Sequence, residues 1–384
     1  MNVVFFGCRI GWLIFCVVLA GCNVWRGKEI SRRYLYKEAG EYAYPTAGKP
    51  LHAQIHYLGC GGFLLEYGGE IVLLDPYFSN LTIGRALLGQ VESDTALINA
   101  FFKKRLGAVR DTAGKISTIL ISHAHHDHLA DVPALLSNNL HGKNVSVYGS
   151  NTVVNLLNSY PALLTDTSAR LTDLELQFST LSASAKARSQ PQISPFFYSR
   201  GRNMRFAVIP ADHAGHFQLF TPHKLPFTTG SIDHPYREAP RFVWQFKEGQ
   251  NFNYLIDLLD GQGKPVFRIF SNAAAACDEG VGYPPEALRA ERPVDLLLLC
   301  GANYNIAKNY PLPLLEYLRP PIVWVAHWEN FFRPVPRLLQ RPEVAPNTNI
   351  PKLIKCLENF SNARGFPKSI IVEQPLRRVV RLKF

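Results

Sequence analysis

From residue 52 onward the apolar residues come in short runs set apart by glycine. The runs IHYLG, GFLLEYG and EIVLLD follow one another with only turn residues between them. That pattern predicts a β-meander. Residues 83–110 instead carry apolar positions at helical spacing and predict helical insertions. STILIS (117–122) reads as a buried strand and ADVPALLSN (130–138) as a helix; VSVYGS (145–150) and NTVVNLLNSY (151–160) repeat that order. Strand and helix alternating over 115–160 predict α/β layering. Residues 182–203, rich in Ser, Pro and Arg, read as a long surface loop. A second strand set follows: MRFAVIPA, RFVWQFKE, FNYLIDLL, VFRIFSN, VDLLLLCG and PIVWVAHW. The closing KSIIVEQPLRRVVRLKF ends in a basic-apolar alternation that fits an edge strand with a solvated cationic face. No internal sequence repeat is evident, but a β-rich half before about 160 mirrors one after about 204.

Composition narrows the class. With 47% hydrophobic and 18% charged residues among 384, the chain is too apolar to be disordered and long enough for a large core. Seven cysteines are too sparse for a disulfide scaffold, and Cys60, Cys277, Cys300 and Cys356 read as free thiols. The formal charge is +11, which suits an anionic lipid surface or acidic substrates as well as plain solubility. No zinc knuckle, recognition-helix pattern or basic-aromatic stripe points to nucleic acid.

At the N-terminus, Arg9 precedes a charge-free run from Ile10 to Ala20. That run is about half the ~20 residues needed to span a bilayer, so it predicts a signal-peptide core. Leu19-Ala20-Gly21-Cys22 resembles a bacterial lipobox. The resemblance implies a signal peptide over 1–21, lipid on Cys22, a tether or leader over 22–49 and a domain over 50–384. It also implies a place in the bacterial cell envelope, and Asn23 after the cysteine favours the periplasmic face of the outer membrane.

The chemistry concentrates after STILIS. In Ser122-His123-Ala124-His125-His126-Asp127-His128, four of the chain's twelve histidines fall within six residues. In an extended segment alternate residues point the same way, so His123 and His125 can share one ligand set. Asp127 and His128, where the chain turns into a helix, face a second position. Imidazole and carboxylate are ligands zinc accepts.

His-x-His-x-Asp-His after a buried strand resembles the metallo-β-lactamase superfamily, and the match can be followed along the chain. Asp75-Pro76 closes an early strand, and Leu58-Gly59-Cys60-Gly61-Gly62-Phe63 is similar to that family's Gly-rich turn. Pro210-Ala211-Asp212-His213 looks like the third metal position, with His216 as competitor, and His327 in IVWVAHW looks like the last. The resemblance implies a four-layer αβ/βα sandwich with metals at one edge between two sheets. It implies that His123, His125 and His213 hold one zinc ion, and Asp127, His128 and His327 a second. Asp127 would also accept a proton from the nucleophile, and Asp75 would orient the ligand histidines or simply cap a turn.

One position departs from the family pattern. Where a metal-bridging Asp normally stands, the matching strand reads Ser271-Asn272, a weak neutral ligand, with Asp278 as a distant substitute. Loss of that charge between two repelling dications should weaken one site most. The resemblance therefore implies a membrane-anchored, metal-dependent hydrolase of the phospholipase-D-like or sugar-phosphate-lactonase-like branch, acting on a small-molecule or lipid-like substrate. The competing reading is a catalytically degenerate envelope protein that keeps the fold for binding. Trp244, Trp324 and Trp328 read as core or rim aromatics, of which Trp328, beside His327, has the best claim to line the cleft, and the segment around Phe101 and Phe102 reads as a packing helix rather than a lid.

Overall fold

A computed structural model describes residues 30–31, 41–43, 52–106, 116–137, 144–164, 169–178, 192–215, 217–218, 222–223, 228–275, 280–302, 304–346, 348–377 and 379–383. The signal with Cys22, His216, Asp278, Cys277 and much of the Ser/Pro/Arg-rich stretch lie outside the described residues.

The first half supplies β1 (Glu41–Ala43), β2 (His52–Gly59), β3 (Gly62–Tyr67), β4 (Glu70–Leu74), α1 (Ile83–Leu88), α2 (Thr95–Leu106), β5 (Ile116–Leu120), α3 (His126–Leu129), α4 (Val132–Ser137), β6 (Val145–Gly149), α5 (Asn151–Leu157), α6 (Pro161–Leu164) and β7 (Ala169–Asp173). The second half supplies β8 (Phe197–Tyr198), β9 (Met204–Ala211), the hairpin of β10 (Phe217–Gln218) and β11 (Pro222–His223), β12 (Asn251–Leu259), β13 (Pro265–Asn272), α7 (Glu286–Glu291), β14 (Leu296–Cys300), α8 (Leu312–Leu318), β15 (Ile322–Ala326), α9 (Val335–Gln340), α10 (Ile350–Arg364), β16 (Ser369–Val372) and β17 (Val379–Lys383).

Two large mixed sheets result. One runs β1-β17-β2-β3-β4-β5-β6-β7, the other β16-β15-β14-β13-β12-β9-β8. Each sheet has an antiparallel part, β17 to β4 or β8 to β13, and a parallel part, β4 to β7 or β13 to β16. The mirrored halves of the sequence are thus two sheets of like construction. Alternation along the meander separates the layers: Ile55, Tyr57, Phe63, Leu65, Val72 and Leu74 pack toward the second sheet with Val208, Tyr254 and Trp324. Their neighbours Leu58, Leu64, Ile71 and Leu73 pack outward against Phe101, Phe102, Leu135 and Leu157. The second sheet is covered in turn by Leu314, Leu318, Leu353 and Leu357 from α8 and α10. Helix, sheet, sheet, helix is the four-layer sandwich, and strands such as LLLLC read as unbroken apolar runs because both faces are covered. Phe101 and Phe102 are buried, so α2 is a packing helix.

Three expectations need correction. RFVWQFKE is no strand: Val243–Gln245 is a 3-10 turn, in which the Gln245 side chain accepts from the backbone N–H groups of Arg241 and Phe242. Within 182–203, Phe197–Tyr198 pairs with β9 instead of looping free. The final strand is not at an edge, since β17 lies between β2 and the short β1 that the leader contributes. Its alternation still holds, with Val380 and Leu382 buried and Arg381 exposed. Among the described residues, no helix is long and apolar enough to cross a membrane.

Candidate metal centre

Both sheets deliver their chemistry to one end, where ligand sites of open α/β sheets gather beyond the carboxyl ends of parallel strands. Asp75 follows β4, Ser122 to His128 follow β5, His213 follows β9 and His327 follows β15. The segment after β5 is held between the sheets. Phe252 N–H donates to Ser122 O (2.9 Å), Tyr254 OH to Ile121 O (2.8 Å) and Ala124 N–H to Glu248 O (2.9 Å). His125 is extended (φ −61°, ψ 152°) and the chain turns into α3 directly after it, so His125 and Asp127 face different positions.

His123, His125 and His213 each present a ring nitrogen within 4.8 Å of the others. Ligand atoms about 2.1 Å from a tetrahedral ion stand about 3.4 Å apart, so modest inward movement would close this set on a cation. The tautomers suit that use. His213 Nδ1 lies 2.7 Å from Ala214 O, which can only accept, leaving Nε2 as the basic nitrogen. Ser122 Oγ donates to Asp75 Oδ2 (2.6 Å) and lies 3.0 Å from His123 Nδ1, so the serine oxygen is left to accept from that ring. His123 Nε2 is buried and has no hydrogen-bond partner. A buried imidazole nitrogen left bare while the opposite one is anchored fits a metal-ligating histidine. Burial first, and then the neighbouring His128, His125 and His213, hold the His123 pKa well below its ordinary value, which keeps the ring neutral.

Beside this set stands a second. Asp127 and His327 lie with Cys60 so that their ligand atoms are all within 4.8 Å of one another. His327 Nε2 is 3.3 Å and His128 Nε2 3.8 Å from Asp127 Oδ2. His128 Nδ1 turns back to Asp75 Oδ2 at 3.1 Å. Asp75 also accepts from Ser122 N–H (2.7 Å), so it orients His128 directly and His123 through Ser122. Burial alone would raise the Asp127 pKa, but His128, His327 and His126 hold it well below the usual carboxylate range. Burial likewise opposes protonation of His128, and the carboxylates of Asp75 and Asp127 prevail and raise its pKa.

The sequence reading passed over the supports of this second set. Cys60 is fully buried in the turn from β2 to β3 with φ +48°, and His327 (φ +52°) and Asp75 (φ +37°) share that uncommon left-handed backbone. Such conformations in non-glycine residues cost of order 1–3 kcal/mol and persist where surrounding structure enforces them. For Cys60 directly, and for His327 through Tyr57, the enforcer is Glu329, 0% exposed, which accepts from Cys60 N–H (2.5 Å) and from Tyr57 OH (2.5 Å). Tyr57 OH in turn accepts from His327 N–H (2.7 Å). Glu329 stands two residues after His327, but only the fold brings Tyr57 and Cys60 to it.

Asn272 ends β13 with both amide atoms engaged: Nδ2 donates to Ala274 O (3.0 Å) and Oδ1 accepts from Tyr310 OH (2.6 Å). Among the described residues, Cys60 is the group whose ligand atom stands within 4.8 Å of those of both Asp127 and His327. Trp328 does not line the cleft: it is 1% exposed in the inter-sheet core, its Nε1 donating to Glu373 O.

The sequence profile of the beta-lactamase superfamily domain matches residues 71–228. A metal-dependent hydrolase of Roseobacter denitrificans is 33% identical over 95 residues, 25% of this chain and 32% of that protein, so the match spans about a third of the relative's length. A metallo hydrolase of the hyperthermophilic archaeon Ignicoccus hospitalis is 16% identical over 87% of this chain and 99% of its own, with a TM-score of 0.46. CmlA, a diiron β-hydroxylase of Streptomyces venezuelae, is 12% identical over 89% of this chain and 55% of its own, with a TM-score of 0.41.

Proposed function

We propose that the chain is a metal-dependent hydrolase of the metallo-β-lactamase superfamily that uses two adjacent cation sites, with the superfamily's sequence profile over residues 71–228 as support. The observation that carries the reading is the convergence of His123, His125 and His213 on one side, and of Asp127 and His327 on the other, from separate strand ends. His128 joins the second set through Nε2. Zinc suits a donor set of neutral imidazoles and a carboxylate. When bound, such ions acidify a coordinated water and polarise the oxygen of the bond to be cleaved.

The chain's own residues divide the remaining work. Asp127, held ionised among His128, His327 and His126, is placed to take the proton of an attacking water. Asp75 and Ser122 fix the orientation of His128 and His123. The surrounding apolar wall, with Phe331 against His327 (ring centroids 5.3 Å apart), excludes bulk water and strengthens every charge interaction inside. A phosphodiester or lactone is the proposed substrate class; the support for an anionic one is the surplus positive charge of the chain. Lipid on Cys22 would present the domain at the outer membrane, with the lipobox-like sequence as support.

The test is metal analysis of the purified protein together with turnover of a chromogenic phosphodiester, a lactone and a cephalosporin. The expected result is bound zinc and hydrolysis of the phosphodiester or the lactone, abolished by a chelator and by His125→Ala. Absence of bound metal, with no turnover on any added dication, would overturn the reading.

A further inference from the structure

Cys60 is the one group of the second set that the histidine-aspartate pattern does not call for. Its sulfur lies within 4.8 Å of ligand atoms of both Asp127 and His327. The side chain is fully buried, and among the described residues its sulfur makes one long hydrogen-bond contact, 3.9 Å to Asn80 Oδ1. His327, 6% exposed, has an Nδ1 without a hydrogen-bond partner. The turn is built to hold the sulfur in place. Glu329 grips the Cys60 N–H, and the backbone at Gly61 runs so close beneath the site that a Cβ there would lie 3.7 Å from His128 Cε1 and 3.8 Å from His327 Cδ2. At the strand end where a bridging carboxylate would be expected, Asn272 is neutral and engaged with Ala274 and Tyr310.

We propose that Cys60 is a protein ligand of the second cation, its thiolate supplying the negative charge that Asn272 does not. The inference rests on the two-site reading above. Binding breaks the S–H bond, forms a sulfur–metal bond and releases the proton to the buffer. Two consequences follow from ligand chemistry. The centre is asymmetric, with three imidazoles at one site and sulfur, carboxylate and the imidazoles of His327 and His128 at the other. The second site, being soft, takes Zn²⁺, Co²⁺ or Cd²⁺ in preference to Mg²⁺, Ca²⁺ or Mn²⁺.

Cobalt loading of the full chain tests this, read by stoichiometry and by the near-ultraviolet sulfur-to-cobalt charge-transfer band. The wild type should bind two ions and show the band. Cys60→Ser should lose the band and one of the two ions, while Cys300→Ser and Cys356→Ser keep both. Two bound ions without the band, or a band that survives in Cys60→Ser, overturns the role of Cys60 and leaves the hydrolase reading intact. No bound cobalt in the wild type overturns both. Should Cys60→Ser not fold, X-ray absorption of the zinc-loaded wild type decides: a sulfur scatterer at about 2.3 Å is expected, and nitrogen and oxygen alone would refute the proposal.

Discussion

Replacing Tyr57 by Phe removes one oxygen atom and two hydrogen bonds from a site with no access to water. The Tyr57 ring, 0% exposed and packed 5.2 Å from Phe63, keeps its burial, so the hydrophobic contribution is unchanged. What changes is polar satisfaction. The His327 N–H loses its acceptor at 2.7 Å, and a buried unsatisfied donor costs about 1–3 kcal/mol. The Glu329 carboxylate loses a 2.5 Å donor, a charge-assisted bond of about 1.5–3 kcal/mol, and keeps Cys60 N–H. Because the two losses share one hydroxyl, the expected destabilisation is about 3–4 kcal/mol rather than their full sum. Urea unfolding of metal-free protein measures it, as a lowered midpoint at unchanged m. Zinc titration should show the second ion weakened about 10–100-fold, the usual effect of removing an outer-shell support, with the three-histidine site unaffected. A destabilisation below about 1 kcal/mol, or equal weakening of both ions, would refute the view that Tyr57 and Glu329 hold His327 and Cys60 in their left-handed backbone.

His123→Ala should abolish the three-histidine site and also lower metal-free stability by about 1–3 kcal/mol, since the buried ring leaves a cavity and Ser122 Oγ loses its contact at 3.0 Å; metal stoichiometry and thermal unfolding separate the two effects. Asp257→Asn should cost about 3–5 kcal/mol, because this buried carboxylate holds Arg268 Nε at 2.6 Å and Arg205 at 2.9 Å, while metal stoichiometry stays unchanged. Gly62→Ala should lower the melting temperature sharply, since a Cβ would fall 2.4 Å from Asp75 O and force the site's own backbone to move. Asn272→Asp should destabilise by about 1–3 kcal/mol, with a carboxylate oxygen forced against Ala274 O where the amide now donates at 3.0 Å. The number of bound ions should not rise, and a gain on that substitution would show that the bridging charge is still wanted.

Much of this protein was legible before any coordinates. Short apolar runs set apart by glycine marked the meander, and strand alternating with helix over 115–160 marked the α/β layers, because burial leaves a direct imprint on residue type. The histidines of the motif are neighbours in sequence, so their shared chemistry shows locally, and the family resemblance singled out Asp75, His213 and His327, each of which follows a strand on the same end of the sandwich. Where hydrogen bonding rather than hydrophobicity decides the backbone, the pattern misled. RFVWQFKE has a strand's composition, yet Gln245 caps Arg241 and Phe242 into a turn. The roles of Cys60, Tyr57 and Glu329 were hidden for a related reason. A cysteine, a tyrosine and a glutamate in apolar contexts have no periodic signature, and they become one network only when β2, its turn and the end of β15 meet. Residue type and spacing fix which layers a segment can join; which polar atoms then face each other across more than 250 residues of chain depends on how the two sheets stack.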